Sequence, residues 1–439
     1  MQTSSNTFKT TMLTLAMGMT AISIAHAGSD PEVEQLRQEV QELRALLQQY
    51  TAQQKIQNDQ VQPSTQTDNS STLPDMKVPK KGFTSLAGTE VNFYGIVRAD
   101  GSYQMKGRND GKPFNAIHNV PLENQAQSKD RFNSTLAVTR FGFDVKTTTQ
   151  MGEVTGKIEA DFLGGGNLGG SNTNNDNPRI RHAYLSFNDW LIGQTWSNFA
   201  LPDYAPETVD ANGYIGETVI KRVPQVRYTT NFSPATSFVV AVEDPKETTA
   251  NLSSRFPAIT ARINQKFADD KGIVSARTMV TEKRTDIDNT TAWGFGLGAK
   301  YNLTPTTLLK ADYYHVKGDN SFVYGSNQGV LISANKEILA KNEFDSITAG
   351  ITQQFNSKWR GTFGYGYMKA NKDNQYMNTL TTGNKELWQT WVNTFYSPLK
   401  PVSFGMEYVY GERKTFNTDT SDSQKGKDNR INVVASYNF

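Results

Sequence analysis

The chain has 439 residues, more than one ordinary domain needs, and no cysteine, so it offers no disulfide framework, thiol nucleophile or thiolate metal site. Lysine and arginine number 45 against 43 aspartates and glutamates, and the net charge of +2 provides no global field for nucleic acid. Hydrophobic residues make up 36 % and mean hydropathy is −0.57, and no internal run approaches the roughly 18 apolar residues of a spanning helix. A spanning barrel escapes that test, because only alternate residues of its strands meet lipid.

Lys9, the apolar stretch Met12 to Ile24 and the small-x-small site Ala25-His26-Ala27 predict a secretory signal peptide over 1–27. Over 28–56, Val33, Leu36, Val40, Leu43, Leu47 and Tyr50 occupy strict a and d positions for three heptads. Glu32 with Arg37, and Glu39 with Arg44, stand at the flanking g and e positions. This narrow seam predicts a short α-helical coiled coil, hence an oligomer, without fixing the number of chains. Residues 57–89 turn polar, with Pro63, Pro74 and Pro79, as a linker without a core of its own.

From Glu90 onward the period changes to two. In the first strand Val91, Phe93, Gly95, Val97 and Ala99 share one face, and Asn92, Tyr94, Ile96, Arg98 and Asp100 the other. Strands follow near Arg131 to Lys146, Glu153 to Leu163, Arg179 to Phe187, Trp190 to Trp196, Thr218 to Thr230 and Ala235 to Glu243. The second half continues with Ala258 to Phe267, Gly272 to Lys283, Trp293 to Tyr301, Thr306 to Lys317, Ser346 to Phe355, Trp359 to Met368, Leu387 to Tyr396 and Val402 to Glu412. Arg430 to Phe439 ends the chain, with Ile431, Val433, Ala435, Tyr437 and Phe439 on one face and Val434 the only apolar residue on the other.

Short connections with turn chemistry, such as Asn188-Asp189 and Thr304-Pro305, alternate with long polar ones such as Lys106 to Lys129, Ser197 to Glu217 and Asp319 to Glu337. Such sorting predicts an outer-membrane barrel with short periplasmic turns and long outer loops. The expected fold is therefore all-β: a transmembrane antiparallel β-barrel of about 16 strands over 90–439, preceded by the coiled coil.

Inward parity collects Arg98, Arg140, Arg227 and Arg262 with other bases, partly answered by Asp100, Glu159, Asp161 and Glu407. Arg179 and Arg181 join them only if His182 and Tyr184 face outward, and Leu185 and Phe187 share parity with the arginines. Arg222 is ambiguous because Pro224 interrupts its strand. Guanidinium groups at a constriction would bind carboxylates bidentately in a field strengthened by low-dielectric walls. The loop 197–217 is the candidate to fold inward, and its Asp203, Glu207, Asp210 and Glu217 would face those basic walls. Catalytic signals are weak. His118, His182 and His315 lie outside metal-ligand spacing, and the Gly164 to Gly170 stretch precedes no helix. Neither an enzyme, a metal nor a cofactor is expected.

Thr139-Arg140-Phe141-Gly142-Phe143 resembles the second-strand motif of general trimeric porins, whose arginine lines the eyelet. Arg181 with Tyr184 resembles the arginine of their fourth strand, and Lys221-Arg222-Val223 with Tyr228 the arginine after their constriction loop. The aromatic-terminated last strand resembles the C-terminal signal of Gram-negative outer-membrane proteins, which the barrel-assembly machinery would read. The whole mature chain is similar to the DcaP-like porins, in its coiled coil, proline-containing linker, Val91-Asn92-Phe93-Tyr94-Gly95 start and Tyr437-Asn438-Phe439 end. The resemblance implies a homotrimeric channel for small anionic solutes, especially dicarboxylates, in contact with outer-membrane lipid and lipopolysaccharide, with its N-terminal segment in the periplasm. The alternatives are a carbohydrate or general diffusion porin, and a structural barrel tethered to the cell wall by its coiled coil.

Overall fold

The computed structural model describes residues 82–84, 88–108, 111–126, 129–164, 177–216, 221–247, 249–371, 374–380 and 382–439. The expected signal peptide, the coiled coil with its Val33 to Tyr50 seam, the linker up to residue 81 and Glu217 lie outside them.

Sixteen antiparallel strands close into one barrel. β1 is Thr89–Lys106. β2 runs in two segments, Arg131–Thr135 and Arg140–Thr149. β3 is Gly152–Asp161, β4 Arg179–Phe187, β5 Trp190–Trp196, β6 Arg222–Asn231, β7 Thr236–Glu243 and β8 Ala258–Phe267. β9 is Gly272–Arg284, β10 Asn289–Thr304, β11 Thr307–Lys317 and β12 Glu343–Gln354. β13 is Trp359–Ala370, β14 Asn384–Leu399, β15 Val402–Thr415 and β16 Lys425–Asn438. The second strand, expected as one run, breaks at 136–139, where the Thr139 N–H turns back to the Leu136 carbonyl (2.9 Å). The sixth begins at Arg222, four residues later than the sequence suggests.

Closure falls on β1. One edge pairs with both segments of β2, and Ile96–Lys106 pairs along the other edge with β16. The Gly95 N–H donates to the Phe439 carbonyl and the Phe439 N–H to the Gly95 carbonyl, both at 3.0 Å. Below that point Gly82–Thr84 pairs with Glu90–Asn92, so the edge that β16 does not reach is covered too. Phe93, Phe143 and Phe439 gather their rings there, with centroids 5.1 and 5.4 Å from Phe93.

The two sides of the barrel differ in height. β3 to β8 have 7 to 10 residues, whereas β9 to β16 have 11 to 16. The taller side does not enclose a water-filled half. The described parts of the loops after β1, β5 and β11 (111–126, 197–216 and 318–342) fold inward and build an apolar core against it. Ile117, Phe199, Ile215 and Phe322 are fully or almost fully buried there against inward-facing Met279, Tyr314 and Met368. The sequence pattern offers the second of these loops as the one to fold inward and marks the other two only as long polar outer loops. Their few apolar residues are enough, because burying each large one contributes about 1.5–3 kcal/mol.

Small inward residues make room for this packing. The glycine face of β10 is the bed for the loop 197–216. A Cβ on Gly298 would stand 2.5 Å from the Tyr204 ring, and one on Gly350 of β12 would stand 2.6 Å from Pro206.

Removing Phe439 takes away two closing hydrogen bonds, worth about 1 kcal/mol each, and one ring of the aromatic seal. Deleting Phe439, or placing valine at Gly95, where a Cβ would meet the Phe439 ring and the Arg140 carbonyl, is expected to lower the yield of closed barrel. Heat-modifiable migration on gels measures that yield.

Candidate functional site: an arginine wall facing an anchored loop

The loop after β5 crosses the lumen and is fastened to the far wall by three carboxylates. Glu407 on β15 faces inward with 1 % exposure. It accepts from the Val209 N–H (3.0 Å), the Thr208 hydroxyl (3.0 Å), the Tyr214 hydroxyl, Asn393 Nδ2 (3.1 Å) and Asn432 Nδ2 (3.2 Å). A buried carboxylate is costly unless hydrogen-bonded, and here donors of the loop and of β14 and β16 share that task. Glu207 pairs with Arg360 of β13 (2.8 Å), and its carbonyl accepts from Trp391 Nε1 and Asn393 Nδ2. Asp210 pairs with Arg430 of β16 (3.3 Å) and accepts from the Asn115 N–H (2.7 Å) and the Asn212 N–H (2.9 Å). Burial pushes its carboxyl up to about 7 despite the pull of Arg430. The Tyr214 ring lies on Trp391 with centroids 4.5 Å apart. Val209 packs on Val434 and Phe395, which gives the apolar residue on the polar face of the last strand its reason.

These contacts correct two expectations. Glu207 and Asp210 do not face the basic wall across the opening, because Arg360 and Arg430 neutralise them on the wall that carries the loop. Arg430 of the last strand is 2 % exposed and holds the loop through Asp210. Asp203 of the same loop stands within electrostatic reach of Arg262.

The opposite wall is basic. On β1, Arg98 chelates Asp100 (2.6 Å) and donates to the Val209 carbonyl (2.6 Å), touching the loop. Arg140, inward on β2, lies within electrostatic reach of Arg181, Glu159 and Arg98. Arg179 pairs with Asp161 (2.7 Å), and Arg181 with Glu159 (2.6 Å) and Asp161 (2.9 Å). The phase of β4 is set by a bulge. Glu159 pairs with His182 and Ala160 with Ile180, so Arg181 is the extra residue. Arg179, Arg181 and His182 therefore share the inner side, while Ile180 and Leu185 are exposed outward. Parity counted along the sequence cannot detect that slip.

β6 carries its ladder through Pro224, which pairs with Gln194. Arg222 opposes Trp196 and lies over its indole, 3.6 Å from the centroid, within electrostatic reach of Arg181, Arg179 and Asp161. Arg227 donates to Gln225 Oε1 (2.9 Å) and to the Trp196 carbonyl (2.5 Å). Arg262 pairs in register with Arg277, which is buried against Asp312 and Tyr314. Arg227 and Arg277 both stand within electrostatic reach of Arg262.

Among the described residues no carboxylate lies within ion-pairing distance of Arg140, Arg222, Arg227 or Arg262, and the Nε atoms of Arg222 and Arg262 are buried without a hydrogen-bond partner. The array therefore holds more guanidinium groups than the carboxylates that pair with them among the described residues. Among the described residues no cluster of three or more histidines, aspartates or glutamates is arranged to hold a metal ion. The anchoring role of Glu407 was not evident in the sequence. Its inward parity was, but the donors that single it out come from segments 14 to 199 residues away.

The sequence profile of the family described as DcaP outer membrane protein matches residues 33–439. The crystal structure of the outer membrane channel DcaP of Acinetobacter baumannii is similar at 36 % identity and a TM-score of 0.73, over 82 % of this chain and 99 % of that one. The fold is shared with an anion-selective porin from Comamonas acidovorans (13 % identity, TM-score 0.52, 80 % and 100 % covered) and with OmpF of Salmonella typhi (14 %, 0.53, 82 % and 100 %). No curated protein matches the chain.

Replacing Glu407 by alanine takes an acceptor from five donors and is expected to detach the loop, raising single-channel conductance and open-channel noise. Asp210→Asn is expected to have the smaller effect, since the asparagine oxygen still accepts from one of the Asn115 and Asn212 amides and Arg430 keeps Asp428 beside it. Equal effects of the two substitutions in planar bilayers would show that the loop is not held at Glu407.

Proposed function

The chain belongs to the DcaP outer membrane protein family, and from that premise we propose that its barrel is a passive channel for small anionic solutes, dicarboxylates among them. Its place is the outer membrane, as a β-barrel channel of the porin class. The observation that carries the anionic reading is the imbalance across the lumen. Glu207 and Asp210 are neutralised behind the loop by Arg360 and Arg430, while Arg140, Arg227 and Arg262, inward by register, have no carboxylate partner among the described residues.

A carboxylate about 4 Å from one guanidinium gains roughly 4 kcal/mol at an effective dielectric of about 20, and its lost hydration opposes that gain. Several moderate stations in sequence admit an anion and still release it, which passive conduction requires. A dicarboxylate is favoured because two arginines can be engaged at once. Arg227 and Arg262 stand as neighbours, as do Arg140 and Arg181. Against a carbohydrate channel, several large aromatic rings are turned away from the lumen. Trp293, Trp359, Tyr365 and Tyr408 are exposed on the outward face, and Trp391 is buried beneath Tyr214. The reading includes no catalytic step. It also includes a homotrimer, with the 28–56 coiled coil in the periplasm supporting assembly.

In a planar bilayer under a salt gradient, the reversal potential is expected to report anion preference. Arg140→Ala, Arg227→Ala and Arg262→Ala combined are expected to move it toward zero and to cut succinate flux about fivefold, as a loss of ~1 kcal/mol would. Cation selectivity of the wild type would overturn the reading, and absence of conductance would favour a tether. Deleting residues 28–82 is expected to leave a conducting barrel whose trimer dissociates more readily in detergent. A failure of the barrel itself to form would place those residues in the fold rather than in assembly.

A further inference from the structure

In the loop after β1, Asn115 is fully buried and every polar group it carries is hydrogen-bonded. Its N–H donates to Asp210 Oδ2 (2.7 Å), and the Tyr324 hydroxyl, from the loop after β11, donates to its carbonyl. Its Nδ2 donates to the Gly213 carbonyl (2.9 Å) and to Gln389 Oε1 (2.9 Å). Its Oδ1 accepts from the Ile117 N–H (3.1 Å) and from Gln389 Nε2 (2.8 Å). Asn115 and Gln389, an inward and fully buried residue of β14, thus form a reciprocal carboxamide pair. Only a carboxamide supplies two donors and two acceptors at one side-chain end. Backbone groups fix both orientations: the Gly213 carbonyl and the Ile117 N–H set Asn115, and the Ile215 N–H (3.4 Å) sets Gln389.

The loop that carries Asn115 is itself fastened to the outer ends of β14 to β16. The His118 carbonyl accepts from Arg413 Nη1 (2.6 Å) and Asn384 Nδ2 (3.0 Å), and the Glu123 N–H donates to the Lys425 carbonyl (2.8 Å). Ile117 enters the apolar core. Asn115 therefore meets the loop after β5 as a fixed point. That loop is held at two places. Glu407 takes Thr208, Val209 and the Tyr214 hydroxyl, and the Asn115–Gln389 pair takes Gly213 and Ile215. With the wall of β14 behind it, the returning limb 211–216 can leave this seat only toward the lumen.

We infer that Asn115 is the positioning residue of the constriction: paired with Gln389, it makes the loop after β1 a lock that keeps the returning limb 211–216 out of the solute path. The inference rests on the reading of the barrel as a channel. Its sign differs from that of the Glu407 anchor. Loss of Glu407 frees the part of the loop that reaches farthest across, which widens the path. Loss of the Asn115 lock leaves that part held and lets the limb swing into the opening, which interrupts the current.

The test records single channels of the full chain in planar bilayers in potassium chloride, so that only folded barrels are read and ion preference is not at issue. The wild type is expected to stay open steadily. In Asn115→Ala the fraction of time spent in brief partial closures is expected to rise about tenfold, as the loss of two or more hydrogen bonds would allow. Asn115→Asp, which keeps the shape and the acceptors but loses both side-chain donors, is expected to close as often. Gln389→Ala is expected to match Asn115→Ala, and the double variant to close no more often than either, because the pair acts as one unit. Asn119→Ala, at an exposed position of the same loop, is expected to behave as the wild type. Heat-modifiable migration checks that each barrel is closed. A merely structural role would lower the yield of closed barrel and leave each open channel steady, and that result overturns the inference. Multiplying effects in the double variant overturn the pair as the lock. Absence of conductance in the wild type overturns the lock together with the channel reading, whereas cation selectivity counts against the anionic reading alone.

Discussion

A backbone amide left unpaired inside a bilayer costs several kcal/mol, and no water is there to rescue it. Every other feature of this barrel follows from the way that constraint is met at β1. This strand pairs with both segments of β2 on one edge and with β16 on the other, and Gly82–Thr84 covers what remains. Once the ladder closes, alternate side chains must face inward. The inside becomes the one place within the membrane where the chain can keep charge.

The lumen is then divided by height. Long strands β9 to β16 offer more inner surface than the path needs, and three loops cover it with an apolar core and a set of buried ion pairs. Short strands β3 to β8, with β1 and β2, carry arginines that no loop carboxylate pairs with among the described residues. Glu407 links the two halves energetically. A buried carboxylate with its donors in place is tolerable, whereas the donors without it would be left unpaired. The loop is held where its acids are neutralised and where Arg98 still touches its backbone. The same carboxylates that could have balanced the arginine wall are used to fasten the loop, and the wall is left positive.

Much of the fold was legible in the residues themselves. Alternation at period two fixed the inward parity of Arg98, Arg140, Arg227 and Arg262 and the outward parity of Trp293, Tyr365 and Tyr408. The glycine face of β10 and the lone Val434 were visible too, although their meaning depended on a loop that meets them from far along the chain. Arg179 and Arg181 resisted, because a single extra residue at the bulge exchanges the two faces while the composition of the strand stays the same. The role of Arg430 was hidden for a related reason. Its height along the strand follows from counting, but the loop that descends to it does not.

By itself the sequence determined the class of architecture, the number of strands, the sorting of turns and loops, and a lumen with arginines in it. These depend on local periodicity, which a strand expresses whatever its neighbours are. Only the tertiary structure decided which charges remain available. Whether a carboxylate meets Arg360, Arg430 or the open lumen depends on where a loop of some twenty residues comes to rest. That resting place is set by buried partners drawn from β13 to β16 and from the first outer loop. Pairing between segments hundreds of residues apart leaves no period in the chain, so selectivity is written in the packing.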